Sequence, residues 1–282
     1  MALTAALAAA GLTVADLQRV VITHTHIDHF GQAARLCEES EARCLIIDAG
    51  HPWLTDFSGQ WQKRLDYYRD EFLPGVAMPD DFRQLMLRYS LNVLETYRSV
   101  PTARVDRLHD GERVEMGNQS WVALHTPGHA STLACFYHEE TATLLSSDLV
   151  LARTPTPVVE TAAAAATYGR PLPTHLKSLE RVMALDITLT FPGHGAPIRD
   201  TYSLLEAQLL RIAERKAECL SHVHNGVETV FGLTQAMYAP SGSQINMAGL
   251  WMVVGYLDLL EAEGRVRRDE VEKRWVYRAI SW

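Results

Sequence analysis

The sequence is short of several features that would assign it to a common class. Among its 282 residues are only four cysteines (Cys37, Cys44, Cys135 and Cys219), and no two of them stand in a C-x-x-C spacing. That predicts free thiols in a reducing compartment rather than a disulfide framework. Positive charge is scarce too. Twenty-six Lys and Arg stand against 34 Asp and Glu, a net charge of −8, and the pI is near 5.8. No global field therefore favours nucleic acid or an anionic membrane. The alanine-rich start, Met1 to Gly11, lacks the basic segment of a secretory signal and runs from helix to strand rather than to a cleavage site. A cytoplasmic protein is expected. An apolar fraction of 47% and a mean hydropathy of −0.08 fit a soluble globular chain, long enough for one large domain and one small one.

What the sequence does have is a dense histidine cluster. In Thr23-His24-Thr25-His26-Ile27-Asp28-His29, three histidines and one aspartate fall within six positions, directly after the apolar run Val20-Val21-Ile22. An extended segment carrying His24 and His26 points both rings to one face, because side chains alternate with period two. A turn into a loop or helix then swings Asp28 and His29 to a second point close by. Imidazole and carboxylate suit zinc, iron or manganese. Further metal-capable side chains stand just past the ends of later apolar strands. They are His129 in Thr126-Pro127-Gly128-His129, Asp148 in Ser146-Ser147-Asp148, and His194 in Phe191-Pro192-Gly193-His194-Gly195.

In this order, the H-x-H-x-D-H run, the T-P-G-H, the later Asp and the P-G-H-G resemble the metallo-β-lactamase superfamily of binuclear hydrolases, over about the first 200 residues. The resemblance implies that His24, His26 and His129 bind one metal, that Asp28, His29 and His194 bind the other, and that Asp148 bridges. Two divalent ions, zinc before iron or manganese, would share a water and lower its pKa. Asp28 would also orient that nucleophile. The remaining histidines (His51, His109, His125, His138, His175, His222, His224) are assigned surface or supporting positions, with His125 pointing away from the metals by strand alternation.

The chain departs from the family in three places. Members usually open with a β-meander before the histidine strand; this sequence starts in the helix that follows it, so the first strands are expected to be missing and one sheet edge uncovered. After His129 the run Ala130-Ser131-Thr132-Leu133 stands where a second histidine often follows, which argues against a close glyoxalase-II-type thioesterase. Asp148 follows serine where glycine is usual.

Residues 51–100 read as a helical insertion roofing the site, broken at Pro74-Gly75. Tyr67 and Tyr68 are its candidate substrate contacts, with Arg64, Arg83 and Arg88 behind them. Residues 103–137 read as β-rich, with turns at Asp110-Gly111 and Gly117-Asn118. Residues 201–282 read as a long helix (Tyr202 to His222), a second helix (Val227 to Tyr238), a loop at Ala239 to Ser243, a third helix from about Asn246 to Glu263, and a strand–turn–strand wing. This tail resembles the winged-helix-like extension of one superfamily branch that includes an RNA-cleaving type. From Gly226 to Trp282 acidic residues are at least as many as basic ones. Its apolar face (Leu250, Val253, Val254, Leu257, Leu260) is therefore expected to pack on the catalytic domain or on a twin subunit of a homodimer, not on nucleic acid.

The expectation is an α+β protein. Residues 1–200 form an αββα metallo-β-lactamase-like sandwich of two mixed sheets, and residues 201–282 form the winged-helix-like tail. The expected activity is metal-dependent hydrolysis of an ester, thioester, lactone or related bond in a small-molecule substrate. Three alternatives stay open: a ribonuclease or phosphodiesterase of the same fold, a mono-iron oxygenase of the same fold, and a truncated non-catalytic domain.

Overall fold

The computed structural model describes residues 2–153, 155–238 and 246–280. The expected loop at Ala239 to Ser243 lies outside the described residues. Two sheets form the body. The first contains β1 (Arg19–Ile22), β2 (Arg43–Ile47) and β3 (Val105–Leu108), in that spatial order and all parallel. The expectation of a mixed first sheet is corrected here, among the described residues. Its strands are joined through helices, Ala33–Glu39 between β1 and β2 and the helical insertion between β2 and β3, and such crossovers return the chain in the same direction. The second sheet is mixed: β4 (Arg113–Met116), β5 (Gln119–His125), β6 (Ala134–His138) and β7 (Thr143–Ser147) are antiparallel neighbours, and β8 (Leu189–Pro192) joins β7 in parallel.

Strand alternation divides the core into layers. Leu45 and Ile47 of β2 and Leu108 of β3 meet Trp121, Ala123, Ala134 and Phe136 of the second sheet. These residues fill the space between the sheets. Their strand neighbours Cys44 and Ile46 turn outward, against Phe30, Ala34, Leu54, Phe57 and Trp61. On the far side, Leu124, Cys135 and Leu144 pack under Leu179 and Val182 of the helix Pro171–Met183 and Leu205 of the helix Thr201–His224. Helix, sheet, sheet, helix is the resulting order. All four cysteines are free and buried.

One tie at each end of β1 joins it to the second sheet, the Thr23 tie standing where the histidines begin. The Thr23 carbonyl accepts from the Ala134 N–H at 2.8 Å, joining the two sheets. Arg19 donates across to the Glu115 carbonyl at 2.8 Å. Among the described residues β1 has β2 as its one ladder partner.

The insertion runs through the helices His51–Thr55, Phe57–Tyr67 and Asp80–Thr96, with a π-helical turn at Tyr68–Phe72 and the short helix Leu73–Gly75 after it. The final segment comprises the helices Thr201–His224, Val230–Tyr238 and Met247–Ala262 and the antiparallel hairpin β9 (Val266–Val271) and β10 (Arg274–Ala279). Asn246 caps the third helix by accepting from the Gly249 N–H at 2.8 Å. Leu250, Val253, Val254, Leu257 and Leu260 are buried in one cluster with Phe72, Leu73 and Val76 of the insertion. The apolar face of the tail is thus covered from within the chain. At Gly75 the contact is close enough that a Cβ would lie 2.5 Å from the Trp275 ring.

Candidate metal centre

β1 ends at Ile22, and the next four residues stay extended until His26, which stands at the N-terminus of the short helix Ile27–Phe30. His24 and His26 consequently face one way. Thr25, between them, faces the other: its N–H and hydroxyl meet the Thr132 hydroxyl at 3.1 and 2.9 Å. Thr132 thus ties the loop after His129 to the histidine strand, in the stretch where the family's second histidine is absent. The first turn of the short helix carries Asp28 and His29, and buried Phe30 anchors it in the core.

His129 arrives from the end of β5. The preceding turn is held by Ser178, which donates to the Pro127 carbonyl at 2.6 Å. Gly128 has φ +140°, and a Cβ there would stand 2.3 Å from the His175 backbone; only glycine fits. Asp148 follows a bulge at the end of β7. Ser147, just before it, has φ +47°, a left-handed conformation that favours glycine and explains why glycine is usual there. Serine serves a second purpose: its hydroxyl donates to Thr23 Oγ1 at 2.8 Å and lies 3.2 Å from His24 Nδ1. His194 follows β8, behind Gly193, where a Cβ would fall 2.1 Å from Asp148 Oδ1.

All seven sequence-predicted residues meet in one cup. His24 Nε2 and His26 Nδ1 are 3.1 Å apart, and His129 Nε2 is 2.9 Å from His26 Nδ1. His29 Nε2 and His194 Nε2 are 3.1 Å apart, and Asp28 Oδ2 is 3.3 Å from His194 Nε2. Asp148 Oδ2 stands between the two trios, 3.5 Å from His129 Nε2 and 3.4 Å from both His29 Nε2 and His194 Nε2. The potential ligand atoms of His24, His26 and His129, of Asp28, His29 and His194, and of His24, His29 and Asp148 each lie within 4.8 Å of one another.

The chemistry of this donor set fits cations. Two far ring nitrogens are engaged elsewhere: His24 Nδ1 meets the Ser147 hydroxyl, and His129 Nδ1 lies 2.9 Å from the Thr156 carbonyl, so it donates there and leaves Nε2 with a lone pair for the cup. Burial, with repulsion among the rings, holds His24 and His26 well below the ordinary imidazole range. Burial lowers His129 as well, against the opposing charge of Asp148. Burial pushes the Asp148 carboxyl up, but the His29 hydrogen bond and the surrounding imidazoles prevail and hold it low. Asp148 Oδ1 is buried without a hydrogen-bond partner, in the recess that Gly193 leaves open. Neutral imidazole lone pairs converging with the Asp148 carboxylate on one space are a donor set that could hold a metal ion.

The leftover histidines are elsewhere. His125 turns to the Ser131 carbonyl, 2.8 Å from its Nε2. His175 is fully buried behind Gly128, without a partner for either ring nitrogen, and burial drives it down to about 3.

Beside the cup opens a cavity of about 240 Å³, whose walls include His26, Asp28, Trp61, Arg64, Tyr68 and Trp251. Tyr68 belongs to this wall, but its hydroxyl is committed to the Val159 carbonyl at 2.6 Å. Tyr67 packs instead against the tail cluster. Trp251 was missed at the level of sequence. It sits on the helix Met247–Ala262, far along the chain from the histidine run, and no local pattern marks it as a neighbour of the cup.

With this geometry in place, the comparisons with known proteins agree. The metallo-beta-lactamase superfamily profile matches residues 1–194, and the chain belongs to that superfamily. A Bacillus subtilis (strain 168) protein named probable metallo-hydrolase YqjP is 28% identical over 270 residues, 93% of this chain and 80% of that protein. An Aspergillus fumigatus protein named atrochrysone carboxyl ACP thioesterase is 29% identical over 120 residues, 43% of this chain and 26% of that protein. Among solved structures, a metallo-beta-lactamase family protein from Thermus thermophilus superimposes with a TM-score of 0.73 at 24% identity, covering 99% of this chain and 85% of the other. A beta-lactamase domain protein from Burkholderia ambifaria gives a TM-score of 0.77 at 23% identity, covering 93% and 75%. These structures share the fold. The superfamily fold implies divalent metal binding, and the YqjP relative, named a probable metallo-hydrolase, supports a hydrolase.

Proposed function

We propose that this chain is a two-metal hydrolase acting on an ester, thioester, lactone or related bond of a small molecule. His24, His26 and His129 would hold one ion and Asp28, His29 and His194 the other, with Asp148 shared. The observation that carries this reading is the position of Asp148 Oδ2, 3.4–3.5 Å from nitrogens of both trios. Two divalent ions in such a site supply an activated water near neutral pH and polarise the carbonyl oxygen under attack. A single-iron oxygenase would leave the second trio without a purpose. Zinc suits the nitrogen-rich set best, with iron or manganese as the other candidates.

The chain's own residues divide the remaining tasks. Asp28 stands at the open side of the cup, with 57% of its side chain exposed, where it can accept a proton from an approaching water as well as hold an ion. Ser147 and Thr156 orient His24 and His129. The cavity lined by Trp61 and Trp251 takes the apolar body of the substrate and keeps water from it. The thioesterase name of the Aspergillus relative supports keeping thioesters among the bonds considered. Residues 201–282 form, on this reading, a winged-helix-like extension that closes the catalytic domain and belongs to a cytoplasmic enzyme. Its balanced charge and buried apolar face speak for packing over nucleic-acid binding.

The test is a screen of the zinc-loaded full chain against 4-nitrophenyl esters, a thioester, a lactone and bis-4-nitrophenyl phosphate. Metal-dependent turnover of a carbonyl substrate is expected. Cleavage of the phosphodiester alone would replace this reading with the nuclease one.

A further inference from the structure

The cavity beside the cup is lined by one guanidinium, that of Arg64, which does not pair with the Asp28 carboxylate in the same wall. Arg64, on the helix Phe57–Tyr67, is half-buried and makes no ion pair among the described residues. Aromatic rings hold it in place. Its guanidinium carbon lies 5.4 Å from the Trp61 ring centre and 5.2 Å from that of Tyr68, and one nitrogen reaches the Tyr68 hydroxyl at 3.4 Å. Both rings are fixed in turn, Trp61 by donating to the Ser90 carbonyl at 2.9 Å and Tyr68 by donating to Val159. Trp251 lines the same cavity, and its indole N–H is buried without a partner among the described residues. Glu160, close enough for its charge to interact with Arg64, accepts from the Ser131 N–H at 3.1 Å instead, and burial raises its carboxyl above the ordinary range.

A guanidinium stacked on two rings is prearranged and weakly hydrated, and its fork matches a carboxylate. Leaving such a charge half-desolvated without an anion costs stability, which a ligand can recover. We propose that Arg64 is the specificity-determining residue of the site, and that the substrate is a small ester, thioester or lactone bearing a carboxylate remote from the scissile carbonyl. This rests on the hydrolase reading above. One guanidinium, in a wall that it shares with Trp61, Tyr68, Tyr89 and Trp251 and with the carboxylate of Asp28, suits a singly charged group; a phosphate would bring a second charge with no further side-chain cation in that wall to meet it. The cavity, at about 240 Å³, lies below the ~300–1,000 Å³ of drug-sized pockets, which sets the size class as small.

The test compares 4-nitrophenyl hemiglutarate with 4-nitrophenyl valerate, esters of matched acyl length that differ in the terminal carboxylate. With the zinc-loaded full chain, kcat/KM should favour the hemiglutarate by about 10–100-fold, as expected for a charge-assisted contact. Arg64→Met, which keeps the stem over Trp61, should bring the ratio near one, and Arg64→Lys should keep part of it. Equal rates in the natural chain, or an unchanged ratio in Arg64→Met, would overturn the proposal. Unfolding temperatures identify any variant that has lost its fold. If neither ester is cleaved, these substrates fail the hydrolase reading, and binding decides the inference separately. Monomethyl glutarate should then quench tryptophan fluorescence saturably in the natural chain and not in Arg64→Met; identical titrations would overturn it.

Discussion

At the scale of single residues, the cup depends on neighbours that never face it. Ser147 accepts a left-handed backbone, φ +47°, and uses its hydroxyl to join Thr23 to the back of His24. Ser147→Ala keeps the conformation and removes the hydroxyl. Partners that orient a ligand histidine are worth about 10–100-fold in metal affinity, so a competition titration against a chelator should show a loss in that range. An unchanged affinity would mean that His24 needs no orientation from behind. Gly193 acts by having no side chain. Gly193→Ala forces a methyl against Asp148 Oδ1, at 2.1 Å before relaxation, and should lower bound metal to less than half while unfolding stays cooperative. Full occupancy in that variant would show that Asp148 is not a ligand. The H-x-H-x-D-H spacing made four of the seven cup residues legible in sequence, because they share one strand end. Gly193 and Ser147 were visible only as a family habit and a departure from it. Their physical reasons needed the backbone.

At the scale of elements, the insertion and the tail support each other. Leu257 on the helix Met247–Ala262 is fully buried in the cluster that also contains Phe72 and Leu73. Leu257→Ala should cost about 2–5 kcal/mol in denaturant unfolding; a change below ~1 kcal/mol would show that the cluster collapses around the lost volume. The same helix carries Asp258, paired with Arg170 at 2.8 Å. Burial outweighs that partner and pushes the carboxyl up to about 6, from 3.8 when unfolded. The folded state therefore binds more protons than the unfolded one across that interval. This group's contribution is full below ~3.8 and is lost as pH rises through about 6. Asp258→Asn does not titrate, so its stability relative to the natural chain should improve between pH 4 and pH 7, by on the order of 3 kcal/mol. A difference that does not vary with pH would refute the assignment. The helices of the tail were readable in sequence, the third from the spacing of its apolar face, Leu250, Val253, Val254, Leu257 and Leu260. Their partner was not, because the choice among insertion, sheet and twin subunit is made by long-range packing that leaves no local pattern.

At the scale of the whole molecule, two sheets and their helices exist to bring four strand ends to one place. β1, β5, β7 and β8 deliver His24 and His26, His129, Asp148 and His194 respectively, and a rigid sandwich keeps those ends within a few ångströms. The alternation in β2, with Leu45 and Ile47 inward and Cys44 and Ile46 outward, shows how the layers can be read from sequence once strands are assigned. The direction of β3 could not be, since it depends on the helical crossover before it. The place of Trp251 in the cavity wall is likewise a property of the assembled fold.

The central claim is that this cup holds two ions through a shared carboxylate. Elemental analysis of the purified full chain, after reconstitution and removal of loose metal, tests it most directly when done beside His129→Ala. The account predicts close to two zinc, iron or manganese ions per chain, a marked drop in His129→Ala with the fold kept, and loss of hydrolysis in that variant. A single ion in the natural chain, or undiminished metal and activity in His129→Ala, would contradict it.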